Sequence, residues 1–152
     1  MAKHRLRDEW LERIKAVARE FLVAREAVER FVVLLAHDPA ALPAGTKVRD
    51  ANAMASNLEG TYLIRLFAAF ESGLRSYWAS TRTTKPPVRD LIDSVAGDRN
   101  IPDDLRDDVH AVRDYRNALV HEADTLAEPV AVETARSRLC TFFARLPDDW
   151  KT

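Results

Sequence analysis

From the sixth residue onward, Leu6, Trp10, Ile14, Val17, Phe21, Ala24, Val28, Val32 and Leu35 recur every three or four positions. That spacing places side chains on one face of an α-helix. A stripe sustained over so many turns commits the start of the chain to a single long amphipathic helix, expected over residues 5–37. It should stop at Asp38-Pro39, because proline has no amide hydrogen to donate and restricts the residue before it. Pro43 and Gly45 make residues 39–49 a loop.

The same period returns four more times. Asp50 is placed as the N-cap of a second long helix, over 50–80, whose inward positions are Met54, Leu58, Leu63, Phe67, Phe70, Leu74, Tyr77 and Trp78. Gly60 and Gly73 lie inside it and mark close helix contacts, since glycine is otherwise unfavourable there by about 1 kcal/mol relative to alanine. Pro87 suits the first turn of a short helix over 87–96 carrying Val88, Leu91, Ile92 and Val95, with Gly97 ending it. Pro102 opens a helix over 102–121, with Asp103 and Asp104 at the positive end of its dipole. Pro129 opens the last, over 129–146, with Val132, Ala135, Leu139, Phe142 and Leu146 inward. The expected fold is all-α, an up-and-down bundle of about five helices forming one domain over residues 1–152.

Composition excludes several functional classes. The length of 152 residues allows a core that hides roughly 68–70% of the unfolded chain's surface. The only cysteine, Cys140, lies among Leu139, Phe142 and Phe143 and reads as a small buried hydrophobe, not a nucleophile. No run approaches the ~18 apolar residues of a membrane span, so the chain is expected in the cytoplasm, with no membrane partner. The formal charge of −1 gives no molecule-wide attraction to nucleic acid, so such a partner would need a local patch. No cysteine pair, His-x3-His or Glu-x-x-His spacing offers a metal site, and the glycines are too scattered for a phosphate loop. Neither metal nor cofactor is expected.

Chemistry concentrates in the fourth helix. Its apolar stripe Leu105, Val109, Val112 continues onto Arg116 before reaching Leu119, so a cation stands where the pattern asks for a hydrophobe. A charge so placed needs a partner, and the plainest is a carboxylate such as Glu71. Glu71 itself falls on the stripe Phe67, Glu71, Leu74, Trp78, so it is expected to be largely shielded and paired with Arg116, Arg113 or Arg75. A second stripe, His110, Asp114, Asn117, His121, puts Asn117 and His121 on one face a turn apart. Arg116 and His121 are about 140° apart around an ideal helix, so the arginine's length or a loosened helix end must bring them together. Alone, His121 would read as a histidine at the negative end of the helix dipole.

The segment Arg116-Asn117-Ala118-Leu119-Val120-His121 matches the Arg-x4-His motif of the HEPN family, including the polar residue after the arginine. Residues 65–78, with internal Glu71, resemble the second long helix of these domains, and the likeness runs over roughly residues 5–146. The resemblance implies a metal-independent endoribonuclease, of a toxin or defence system, with two motifs facing each other across a homodimer cleft. In that reading His121 moves protons, Arg116 stabilises charge on phosphorus, Asn117 orients the phosphate or His121, and Glu71, Arg113 and Asp114 support them. Histidine exchanges protons near neutral pH, and the planar arginine fork suits phosphate oxygens. Arg75, Arg82 and Lys85 belong to a locally basic stretch, with Arg65 and Arg89, expected to carry RNA. One departure concerns control: family toxins silenced by a nucleotidyltransferase continue as His-x-Tyr, whereas His121 is followed by Glu122-Ala123, so an antitoxin protein would act through another contact. The alternative is a non-catalytic module of the same fold, serving dimerisation or partner docking.

Overall fold

The computed structural model describes residues 5–121 and 126–152. Its elements are α1 (Leu6–His37), a 3₁₀ turn (Pro39–Ala41), α2 (Val48–Ala79), α3 (Val88–Asp98), α4 (Asp103–His121) and α5 (Val132–Phe143). Among the described residues there is no strand, and each α-helix packs on the next along the chain, the up-and-down arrangement that short connections favour. No helix among the described residues is long and apolar enough to cross a membrane.

Local chemistry moves helix boundaries in α2, α3 and α5 from their expected places. Asp50 is not the N-cap of α2. The helix begins at Val48, and the Asp50 carboxylate reaches back from the first turn to accept the Lys47 amide at 2.8 Å, which satisfies an orphan donor from inside the helix. At the end of α3 the left-handed residue is Asn100, φ 49°, not Gly97; the helix runs on to Asp98, and Ile101 donates back to the Ala96 carbonyl at 2.9 Å. Asparagine tolerates this region better than most side chains. Pro129 lies outside α5, which starts at Val132 and ends at Phe143. The Val132 amide donates to Glu59 Oε1 of α2 at 3.0 Å, so a carboxylate from a neighbouring helix fixes the start instead of the proline.

α1 and α2 run antiparallel, as the Phe21–Tyr62 ring contact (5.7 Å) and the Glu20–Arg65 ion pair (2.8 Å) show. The core lies beside the lower half of this hairpin, where Ile14, Leu63, Leu66, Phe67, Phe70 and Leu74 meet Leu91, Ile92, Val95, Val109, Val112, Leu139, Phe142 and Phe143, all at 0% exposure. Gly73 lets α5 come close: a Cβ there would stand 2.6 Å from the Phe143 ring. Gly60 takes Leu119 of α4 in the same way, at 3.2 Å. Both glycines are therefore contact points between helices, as their positions in the stripe imply. After α5 the chain turns back, burying Leu146, and Trp150 donates to Ser76 Oγ at 3.0 Å.

The upper half of the hairpin has no such cover. Of its side chains Leu35 and Ala51 are buried, while Leu22, Val23, Val33, Leu34, Val48 and Met54 are exposed. Met54, placed inward by spacing, is outward because α3, α4 and α5 are too short to reach it. α4 finishes with His121 at the level of Gly60, which Leu119 meets, and α5 starts at the same level, where Val132 meets Glu59.

Candidate functional site at the end of α4

α4 turns Val109 and Val112 fully into the core, and the next position of that face is the charged Arg116. Arg116 is half-buried. Its guanidinium carbon sits 5.9 Å from the centroid of the Phe67 ring, and Nη1 donates to Asn117 Oδ1 at 3.0 Å. Its Nε is buried with no hydrogen-bond partner. Leaving a buried donor unmet is unfavourable by about 1–3 kcal/mol. The face of an aromatic ring compensates part of that through cation–π attraction, typically about 0.5–2 kcal/mol. Arg116 is therefore held in place by contacts that leave a donor over.

Glu71 does not pair with Arg116 or Arg113. Its carboxylate accepts from Nε and Nη2 of Arg75 at 3.0 and 2.8 Å, and Arg75 Nη1 donates to the Pro86 carbonyl at 3.0 Å. An arginine four residues along the same helix reaches the carboxylate with no need to cross between helices. The shielding expected of Glu71 is partial, its side chain being 23% exposed. Its role in the fold is to fasten α2 to the segment leading into α3.

Asn117, besides meeting Arg116, lines a pocket of about 570 Å³ between α4 and α5 with Asp114, Arg138 and residues 126–131. His121 is exposed at the last position of α4. The structure thus brings Arg116 and Asn117 into contact and puts His121 just beyond them at the open end of the same helix. Glu122 and Ala123, which bear on control by a partner enzyme, lie outside the described residues.

Sequence reading named Arg113 and Asp114 as supports and His110 as part of a stripe, but missed the polar group they form with α3, beginning a turn earlier on α4. His110 Nε2 meets Asp93 Oδ1 of α3 at 2.7 Å, and its Nδ1 is buried without a partner. Arg113, only 11% exposed, donates through Nη2 to Asp114 at 2.7 Å, and its Nε and Nη1 are buried without acceptors. Arg106 is held by Asp107 (3.2 Å) and Asp103 (3.3 Å); the hydrogen bond it donates to Asp107, then the charge of Asp103, push its guanidinium still further toward the protonated form. Together with Arg89 these residues line a cavity of about 430 Å³ between α3 and α4. His110 was legible as part of an α4 stripe; its meeting with Asp93 is a product of helix packing that no local pattern announces.

The basic stretch on α2 and α3 is largely engaged within the molecule. Arg65 pairs with Glu20, Arg75 with Glu71, and Arg82 lies over the Trp78 ring at 4.5 Å while reaching Asp98 at 2.9 Å. Lys85 and Arg89 are exposed and have no ion pair among the described residues. Among those residues no group of three or more His, Cys, Asp or Glu side chains is arranged to hold a metal ion. Burial among the α5 side chains pushes the Cys140 thiol above its ordinary value, so little thiolate is present near neutral pH.

No protein-family model matches the chain, and no curated protein or solved structure is significantly similar to it.

Proposed function

We propose that this protein is a metal-independent endoribonuclease of HEPN type, acting as a homodimer in which the ends of two α4 helices face each other. The observation that carries the reading is Arg116: a half-buried guanidinium, braced by Phe67 and Asn117, with a donor left without an acceptor just before an exposed histidine. Cleavage of RNA by its own 2′-hydroxyl needs one group to take the proton from that hydroxyl and another to protonate the departing 5′-oxygen. As the 2′-oxygen bonds to phosphorus and the P–O5′ bond breaks, negative charge gathers on the non-bridging oxygens. Histidine serves either proton transfer, typically for about 10²–10⁴-fold, and a fixed arginine stabilises the charge. One motif has too few groups for all three tasks, and a second copy supplies the other histidine.

Asn117 holds the Arg116 fork in register, and Lys85 offers an exposed cation to the flanking strand. The test is incubation of purified protein with single-stranded RNA in EDTA. Cleavage leaving 2′,3′-cyclic phosphate or 3′-phosphate ends, with DNA intact for want of the 2′-hydroxyl, is expected. RNA left whole over a broad set of substrates would favour the alternative, a non-catalytic module for dimerisation or partner docking.

A further inference from the structure

We propose that the cavity between α3 and α4 is a phosphate-binding subsite for single-stranded RNA, with Arg113 as its anchor. The identity of the ligand rests on the ribonuclease reading of the α4 terminus. The feature itself does not: a guanidinium 11% exposed keeps Nε and Nη1 buried with no acceptor, beside a cavity of about 430 Å³. Arginine has no acceptor atoms of its own and only donates. What two spare donors call for is an oxygen-rich anion, and the planar guanidinium matches phosphate well.

The carboxylates around the cavity do not stand against this. Asp114 is taken up by Arg113 Nη2, Asp93 by His110 and Asp107 by Arg106, at 2.7, 2.7 and 3.2 Å. The lining sets three arginines, Arg89, Arg106 and Arg113, against these three aspartates, and Arg89 at the exposed edge has no ion pair among the described residues. Register supports the same ligand. Arg113, Asn117 and His121 succeed one another at four-residue steps along α4, so one strand laid along the helix touches the subsite roughly 12 Å from the histidine. Phosphate contacts of this kind position a strand without reading its bases.

The test uses the full chain carrying His121→Ala, so that RNA is bound and not consumed. A fluorescein-labelled oligouridine is titrated by anisotropy in EDTA over a range of KCl. Adding Arg113→Met should weaken binding at least tenfold and lower the salt slope by about one phosphate contact. Arg113→Lys should fall between, and Asp114→Asn should tighten binding severalfold by releasing Nη2 and removing a negative charge. With Arg113→Met already present, Asp114→Asn should give a smaller gain, which separates the part that runs through Nη2 from the loss of a negative charge alone. Equal affinity and salt slope in Arg113→Met and its parent would overturn the subsite, as would a parent that does not bind RNA. If Arg113→Met melts well below the parent, Asp114→Asn and the exposed Arg89→Gln decide: unchanged affinity in both overturns it. Displacement of RNA by polyglutamate at equal charge concentration would also overturn it, in favour of an acidic protein surface. Binding that depends on Arg113, in a protein whose intact His121 cleaves nothing, leaves the subsite standing and removes the ribonuclease reading; cleavage without any Arg113 effect does the reverse.

Discussion

Arg75 of α2 and Arg82 just beyond its end, and Arg113 and Arg116 of α4, are the same residue type, yet they are finished differently. Arg75 has three nitrogens donating, to Glu71 twice and to Pro86, and Arg82 is stacked on Trp78 and paired with Asp98. Arg113 and Arg116 are no less enclosed, but between them they keep three buried nitrogens without acceptors. Buried donors are nearly always met, so a pair of arginines left short on neighbouring turns is where the proposed phosphate contacts would fall. A basic stretch in a sequence says where cations are, and their completed hydrogen bonds say which of them are free to act.

The largest effect that would break this contrast belongs to the group at its edge. His121→Ala should lower single-turnover RNA cleavage by about 10²–10⁴-fold with an unchanged circular dichroism spectrum, since the side chain is exposed. Cleavage that survives in the folded variant would sink the assignment. Next, Arg116→Ala should cost about 10²–10³ in rate, and Arg116→Lys should recover only part of it, because an ammonium cannot both rest on Phe67 and reproduce the fork.

The other side of the contrast is sharpened by Arg75→Met. Its loss should appear in stability, by about 1 kcal/mol for a pair this open to solvent, lowering the thermal midpoint by roughly 2–4 °C, while cleavage stays within about twofold. A large rate loss with an unchanged melting curve would place Arg75 among the acting arginines. The smallest effect expected is at Cys140: burial raises its thiol, so reaction with a disulfide reagent near neutral pH should be slow in the folded protein and rapid in denaturant. Cys140→Ser should leave cleavage unaltered.

Periodicity carried most of the fold, because each of the five α-helices has an apolar stripe long enough to fix its own phase. What it could not carry was the reach of one helix along another. Met54 satisfies the inward spacing of α2 and is exposed because nothing lies opposite it. Helix starts failed where the cap came from elsewhere: Glu59, remote in sequence, sets the first amide of α5, and Pro129 does not. At the site, Arg116 was legible as a break in an apolar stripe, and Glu71 as a shielded carboxylate in need of a cation. Its choice of Arg75 over Arg116 was not, since both lie within an arginine's reach on paper and only the packed geometry separates them. Nor was the meeting of His110 with Asp93, which depends on how α3 and α4 lie together.

The half-covered hairpin of α1 and α2 has a consequence for how the molecule comes apart. Backbone amides of residues 22–37 and 48–59 sit in helices secured mainly by each other, so their hydrogen exchange should proceed through local opening well below the free energy of global unfolding. Protection should then climb steeply at Phe21 and Leu63, where the aromatic core begins. Gly60 and Leu119 meet near that step, so the last turn of α4 stands at the border between a unit that breathes and one that does not.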